Sequence, residues 1–254
     1  MNGRLTVIGL GPGNNGWLTP QAEAALAAAE AVYGYTAYLD RMPVRPGQER
    51  HPSDNREEQA RAAAALGHAA IGANVAVVSG GDPGVFAMAA AVCAEIEAGP
   101  PRWRELDVTI VPGITAMLAV AARVGAPLGH DFCALSLSDN LKPWELIEQR
   151  LDAAAGAGFV IAVYNPVSRA RPWQLGVAFD RLGRRLPGST PVIFGRAVGR
   201  ADERVEVTTL AAAKSFSVDM ATLVIIGSAE TRVVARDGRA PLVYTPRAAA
   251  KKDR

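Results

Sequence analysis

The sequence predicts an α/β protein of two domains, an N-terminal one with a parallel-type sheet over residues 1–129 and a C-terminal one with a mixed sheet over residues 130–254. Three observations predict it. Through the first half, short apolar runs end in glycine turns and are followed by alanine-rich helices, the pattern of a parallel sheet wrapped by helices. In the second half, strand-like runs follow one another without an intervening helix, which suits a mixed sheet. Between the halves, APLGHD spaces Gly125, Pro127 and Gly129 as a linker would.

The elements follow in order. Residues 5–10 read as the first strand, closed by Gly9 and Gly11. A helix over 20–31 has Thr19 as its N-cap and Pro20 as its first helical residue, where a missing N–H costs nothing. A second helix covers 55–67. Asn74–Ser79 reads as a buried strand, because Val75, Ala76, Val77 and Val78 are apolar on both faces and the run is too short for a free-standing helix. Helices over 85–98 and 114–124 flank a strand at 108–111 that meets the turn Pro112-Gly113. The second half reads as a strand at 133–137, a helix at 143–155, a strand at 159–164 and a helix at 173–186. Strands at 191–195, 205–209 and 222–227 complete it. The final residues, 247–254, read as a frayed basic tail.

Composition bounds the function. The 254 residues are 49% hydrophobic and 20% charged, ordinary for a globular protein. The net charge of +2 is outweighed by the tail, where Arg247, Lys251, Lys252 and Arg254 face only Asp253. The body is therefore slightly acidic, which argues against a nucleic-acid footprint. Cys93 and Cys133 show no CxxC or Cys/His spacing, and His51, His68 and His130 are scattered. No zinc, disulfide or iron–sulfur framework is expected, and the two thiols read as buried in a reducing compartment. No leader is visible and no apolar stretch reaches the roughly 20 residues that span a bilayer. The expectation is a cytoplasmic protein with no membrane partner.

The chemistry-bearing stretch is NVAVVSGGDPGVF, where a strand opens into Gly80, Gly81, Asp82, Pro83 and Gly84. Three glycines let the backbone approach a ligand and adopt positive φ, and Pro83 fixes one dihedral. This gives an amide-lined rim around one carboxylate. The alternative is that Asp82 only organises its own turn as an Asx residue. The first turn, GLGPGNNGWLTP, places Gly11, Gly13 and Gly16 in GxGxxG spacing and invites a dinucleotide reading. Its glycines, however, precede the helix start at Thr19-Pro20. The acid that should end a second strand is also missing, because Asp40 follows a tyrosine-rich segment, from Tyr33 to Tyr38, that does not read as that strand.

Together GLGPGxxxxLT, GGDPGVF and PGITA resemble the tetrapyrrole methylases, the S-adenosylmethionine-dependent family that modifies uroporphyrinogen and precorrins. GYTAYLD, LSDNLKPWELIEQRL and YNPVSRARPWQL resemble one branch of it, whose reaction couples C-methylation to contraction of a precorrin macrocycle. The resemblance implies a two-domain homodimer with its active-site trough between the domains and S-adenosylmethionine bound there. It assigns donor binding to Gly11 and Pro12 of the first turn and to Gly81, Asp82, Val85 and Phe86 of the second. Thr115 and Ala116 of PGITA follow, then Tyr164, Asn165, Ala197, Ala221 and Thr222. Where relatives place methionine after the tyrosine, Asn165 makes the contact polar. Thr115 has a second reading, as a helix cap.

A donor that carries its own activated methyl asks the protein to bind, orient and exclude water, with no metal or redox group. The acceptor implied is a polycarboxylate tetrapyrrole, and ring contraction needs proton transfer. Asp139, Ser138, Lys142 and Tyr164 are the candidates. Asp139 has an alternative as N-cap of the helix at 143, and Lys142 as a solvated charge. Arg41, Arg169, Arg171 and Arg196, with Arg45 and Arg50, are candidates to pair substrate carboxylates. The rival activities are methylation of another precorrin or of uroporphyrinogen III, and, outside the class, a nicotinamide-dependent oxidoreductase or a nucleotide-sensing regulator.

Overall fold

The computed structural model describes residues 3–13 and 15–248, so the expected basic tail lies almost wholly outside the described residues. The chain forms two compact units, Met1–Thr115 and Ala116–Arg254.

The first unit runs β1 (Arg4–Gly9), α1 (Pro20–Ala28), β2 (Ala31–Tyr35), α2 (Thr36–Leu39), β3 (Glu49–Ser53), α3 (Glu58–Ala69), β4 (Asn74–Ser79), α4 (Met88–Ala98) and β5 (Asp107–Val111). Its five strands pair in the order β3-β2-β4-β1-β5, all parallel. Alternation along the strands divides the core into two layers. Leu5, Val7, Val75 and Val77 pack under Ala62, Ala65 and Leu66 of α3 and Val92 of α4. Ile8, Ala76 and Val78 face Ala22 and Leu26 of α1 on the other side. Both faces are buried, which is why β4 reads as an unbroken apolar run. At the head of α1 the Thr19 side chain accepts from Ala22 N at 3.1 Å and Pro20 opens the helix, as the sequence dictates.

Two strands here differ from the sequence expectation. The first part of the tyrosine-rich segment is a strand after all: β2 takes Ala31, the last residue expected in the first helix, and runs to Tyr35, inside the sheet between β3 and β4, before Thr36–Leu39 turn into α2. Gly34 is the reason that it fits, because a Cβ there would lie 2.5 Å from the Val78 side chain. β3, with Pro52 in a run of polar residues, is an edge strand, where proline's missing N–H is tolerated.

The second unit runs α5 (Ala116–Val124), β6 (Gly125–Ala126), β7 (Phe132–Ser136), α6 (Trp144–Gly156), β8 (Val160–Tyr164), α7 (Gln174–Leu182), β9 (Pro191–Arg196), β10 (Arg204–Thr209), β11 (Thr222–Ile226), β12 (Arg232–Arg236) and β13 (Arg239–Tyr244). The main sheet, β10-β9-β11-β8-β7, is mixed: β7 and β8 are parallel and the other pairs antiparallel. The α6 and α7 side chains Ile147, Leu151, Phe179 and Leu182 cover one face. A small sheet, β12-β13-β6, adds a hairpin beyond the strands expected from the sequence. The sequence expectation placed the domain boundary at 129. α5 nevertheless packs on β11, β13 and β10, and Val120 lies so close that a Cβ on Gly195 would come within 2.2 Å of its side chain. The compact units accordingly divide before α5.

Cys93 is exposed on α4 and Cys133 half-buried, so the expectation of two buried thiols fails; the surface of α4 simply carries the first. Among the described residues no helix is long and apolar enough to cross a membrane.

Candidate functional site

In the first unit the loops leaving β4, β1 and β5, three adjacent parallel strands, emerge at the same edge of the sheet, where ligands bind in open α/β folds. They are laced together by backbone. Gly11 and Gly81 exchange N–H···O bonds of 3.1 and 2.8 Å, both in the left-handed region with φ +67° and +69°. A Cβ on Gly9 would lie 2.7 Å from the Gly81 carbonyl oxygen, and one on Gly113 only 2.3 Å from it. Only glycine permits this closeness. Gly80 serves another neighbour, since a Cβ there would meet the Tyr38 ring at 2.8 Å.

Asp82 sits at the junction. Its Oδ1 accepts from Gly84 N at 2.8 Å, closing the Asx turn, and its Oδ2 accepts from Gly113 N at 3.1 Å. The turn-organising reading therefore holds, and the same carboxylate ties the loop after β4 to the loop after β5. An ionised carboxylate has about four acceptor positions, so two amides do not exhaust it. Val85 N reaches back to Asp82 O at 3.3 Å. Phe86 follows in the left-handed region at φ +52° with its ring half-exposed, an outlier for a bulky residue. Thr115 is buried at the end of the PGIT loop.

In the second unit β7, β8 and β9 end at one edge, where β11 begins, because β11 is antiparallel to both β8 and β9. Tyr164, the last residue of β8, accepts from Met117 N at 3.2 Å through its hydroxyl. Asn165 follows at φ +50°, and its Nδ2 donates to Ser136 Oγ at 2.9 Å. Ala197 follows β9 at φ +49°, and its N–H donates to Ala221 O at 2.9 Å. Asp219 builds the entry to β11, since its Oδ1 accepts from Ala221 N at 3.0 Å and from Thr222 Oγ1 at 2.9 Å. Glu203 holds the loop after Ala197, accepting from Gly199 N at 2.7 Å while paired with both Nε and Nη2 of Arg123. Sequence reasoning missed Asp219, Glu203 and Ser136. Asp219, three residues before Thr222, carried a capping-type signal; the other two depend on strand pairing and had none.

The proton-transfer candidates separate. Asp139 does not cap α6, whose N-cap position is Pro143 without a side-chain bond. It is ion-paired with Arg171, whose Nη1 also reaches Asn140 Oδ1 at 2.6 Å and whose Nε reaches Ser168 Oγ at 3.2 Å. Burial alone would raise the Asp139 carboxyl, but the Arg171 hydrogen bond and charge outweigh it and hold it below the usual carboxylate range. Lys142 is half-buried. Desolvation, then the charge of Arg150, pulls its ammonium below the ordinary lysine value against the opposing pull of Asp139. Ser138 stands beside them, its N–H on Ser136 Oγ at 3.3 Å.

The arginines separate too. Arg196 is paired with Asp202 and Asp219, and Arg50 donates to the carbonyls of Leu39, Met42 and Pro43. Arg41 donates to Ala37 O at 2.8 Å and lies 5.1 Å over the Tyr38 ring. Arg169 is exposed on the loop after β8.

In each unit the strand ends are built mainly of backbone ordered by carboxylates, Asp82 in the first and Asp219 and Glu203 in the second. The chain belongs to the tetrapyrrole (corrin/porphyrin) methylases, whose family model matches residues 4–214. A precorrin-3B C(17)-methyltransferase of Sinorhizobium sp is 63% identical over 247 residues, 97% of each chain. The crystal structure of the methyltransferase CobJ matches with a TM-score of 0.90 at 46% identity, over 96% of this chain and all of that one. The uroporphyrin-III C-methyl transferase from Thermus thermophilus, solved with S-adenyl homocysteine, shares the fold at 22% identity and TM-score 0.67, over 89% of this chain and 97% of that one.

Proposed function

We propose that the protein is an S-adenosylmethionine-dependent methyltransferase of cobalamin biosynthesis that methylates ring carbon 17 of precorrin-3B, with ring contraction to precorrin-4, working as a cytoplasmic homodimer. The substrate half of this reading is supported by the near full-length likeness to the Sinorhizobium protein. The donor half rests on one structural observation. Among the described residues three non-glycine residues stand at positive φ, Phe86, Asn165 and Ala197, and all three are positions that the family resemblance assigns to the donor. Such conformations cost of order 1–3 kcal/mol each and persist where a site demands them.

When bound, the donor supplies a methyl on a sulfonium. The chain's own groups then hold and orient. The amides of Gly81, Gly84 and Val85 are already bonded within the chain, so what the turn after β4 offers the donor is the remaining lone pairs of Asp82, which suit its ammonium or ribose hydroxyls. Ala197, Ala221 and Thr222 offer a fixed backbone edge in the second unit. Arg171 holds Asp139 ionised and makes its carboxylate a weak base, whereas the lowered pKa of Lys142 makes its ammonium a readier proton donor than an ordinary lysine. Arg169 is the arginine best placed to meet a substrate carboxylate, since Arg171 and Arg196 are committed to acids of the protein.

Reaction with defined tetrapyrroles and analysis by mass and NMR tests the reading, and methylation of uroporphyrinogen III alone would overturn it. Calorimetry with S-adenosylhomocysteine, NAD and ATP separates it from a nucleotide-binding protein, since only the first should bind. Light scattering of the purified protein tests the dimer.

A further inference from the structure

Toward the other end of the first unit's sheet, away from the glycine loops, the fold gathers two of the protein's three histidines. Tyr33 and His51 are register partners on the parallel neighbours β2 and β3, and their rings stack with centroids 4.2 Å apart and planes 9° from parallel. Glu49, the first residue of β3, lies two positions before His51 and so on the same face. His51 Nε2 is 3.3 Å from Glu49 Oε2. Helix α3 returns over this face and brings His68, in its last turn, edge-on to both rings, with Nδ1 3.2 Å from the Tyr33 hydroxyl. One ligand atom from each of Glu49, His51 and His68 lies within 4.8 Å of the other two.

We propose that Glu49, His51 and His68 form a binding site for a divalent transition-metal ion of the zinc type, separate from the methyl-transfer edge. Two imidazoles and one carboxylate are a donor set that zinc takes with a position left for water, and imidazole nitrogen selects such ions over magnesium or calcium. Bonds of about 2.0–2.1 Å in tetrahedral geometry put neighbouring ligand atoms roughly 3.3 Å apart. The Glu49–His51 pair already has that spacing. Glu49, with its side chain 67% exposed, and the partly exposed His51 leave an entry path from solvent and freedom to close on an ion. Tyr33 positions both rings, stacking on one and hydrogen-bonding the other, the kind of support that fixes ligand orientation.

The test uses untagged, chelator-stripped full-length protein titrated with zinc by calorimetry and with cobalt(II) by visible absorption. One ion per chain, saturating at micromolar zinc, with a cobalt d–d band, is the expected result. His51→Ala and His68→Ala should abolish both signals, Glu49→Gln should weaken binding at least about tenfold, and His130→Ala should bind as the unsubstituted protein does. No saturation by millimolar zinc, or unchanged binding in the His51 and His68 variants, overturns the proposal. Should those variants fail to fold, Glu49→Gln decides, because its exposed side chain leaves folding intact; unweakened binding there overturns the assignment.

Discussion

Replacing Gly113 by alanine places a methyl where the three glycine loops are closest. Its Cβ would lie 2.3 Å from the Gly81 carbonyl oxygen and 2.9 Å from the Gly9 carbonyl carbon, inside the 3.0 Å that real Cβ atoms respect. Gly113 is not at positive φ, so alanine suffers no strain of its own and the conflict is purely steric. Relief requires the loops after β4 and β5 to part by about 1 Å, an overpacking that costs about 1–3 kcal/mol. For a chain of this size that is roughly 2–10 °C in Tm. The same parting breaks the 3.1 Å bond from Gly113 N to Asp82 Oδ2. A displacement near 1 Å at an orienting site costs on the order of 100-fold in productive binding. Thermal melts and calorimetry with S-adenosylhomocysteine read the two effects. Gly176→Ala, at an open position in α7, is the control and should be neutral or stabilising by up to about 1 kcal/mol. If Gly113→Ala melts and binds as the unsubstituted protein does, the loops are not packed backbone to backbone as described, and the reasoning fails.

Asp82→Ala should cost about 1.5–3 kcal/mol, chiefly through the part-buried Gly113 amide left without its charged acceptor while the exposed Gly84 amide turns to water, and Asp82→Asn should recover part of that stability but not the affinity for S-adenosylhomocysteine. Recovery of both in calorimetry and melts would reduce Asp82 to a turn organiser. Asp139→Asn should destabilise by about 1.5–3 kcal/mol at neutral pH. The carboxyl is depressed in the folded state, so its contribution is fully present above the ordinary value of 3.8 and lost as the pH falls further through the folded value; melts at pH 7 and pH 3 should show the variant's deficit shrinking. Arg169→Ala should raise KM for the tetrapyrrole with Tm unchanged, whereas Arg171→Ala and Arg196→Ala should lower Tm; a lowered Tm with unchanged KM for Arg169→Ala would remove it from the substrate side.

Legibility from sequence followed how local each cause was. β4 was read to the residue, because burial on both faces leaves an apolar run bounded by glycine, and the Thr19–Pro20 helix start is a short-range signal. β2 was missed because its alanine and glycine continue a helix-like composition, and Gly34 marks packing against Val78, not a turn. β3 hides behind Pro52 and its charges, as an edge strand can. The β12–β13 hairpin carries a local signal of its own, Asp237-Gly238 with φ +65° at the glycine. At the site, the glycine loops were visible in the sequence, but the Asp82–Gly113 bond and the pairing of Arg171 with Asp139 join residues about thirty positions apart and needed the fold. The Glu49, His51 and His68 grouping is of the same kind: scattered in the chain, gathered by β3 and α3.

Incubation of the enzyme with precorrin-3B and donor bearing a carbon-13 methyl, followed by NMR of the product, tests the central claim most directly. A single labelled methyl on ring carbon 17, formed with one equivalent of S-adenosylhomocysteine, is the predicted result. Label on another ring carbon, or no transfer to precorrin-3B while uroporphyrinogen III is methylated, would contradict it.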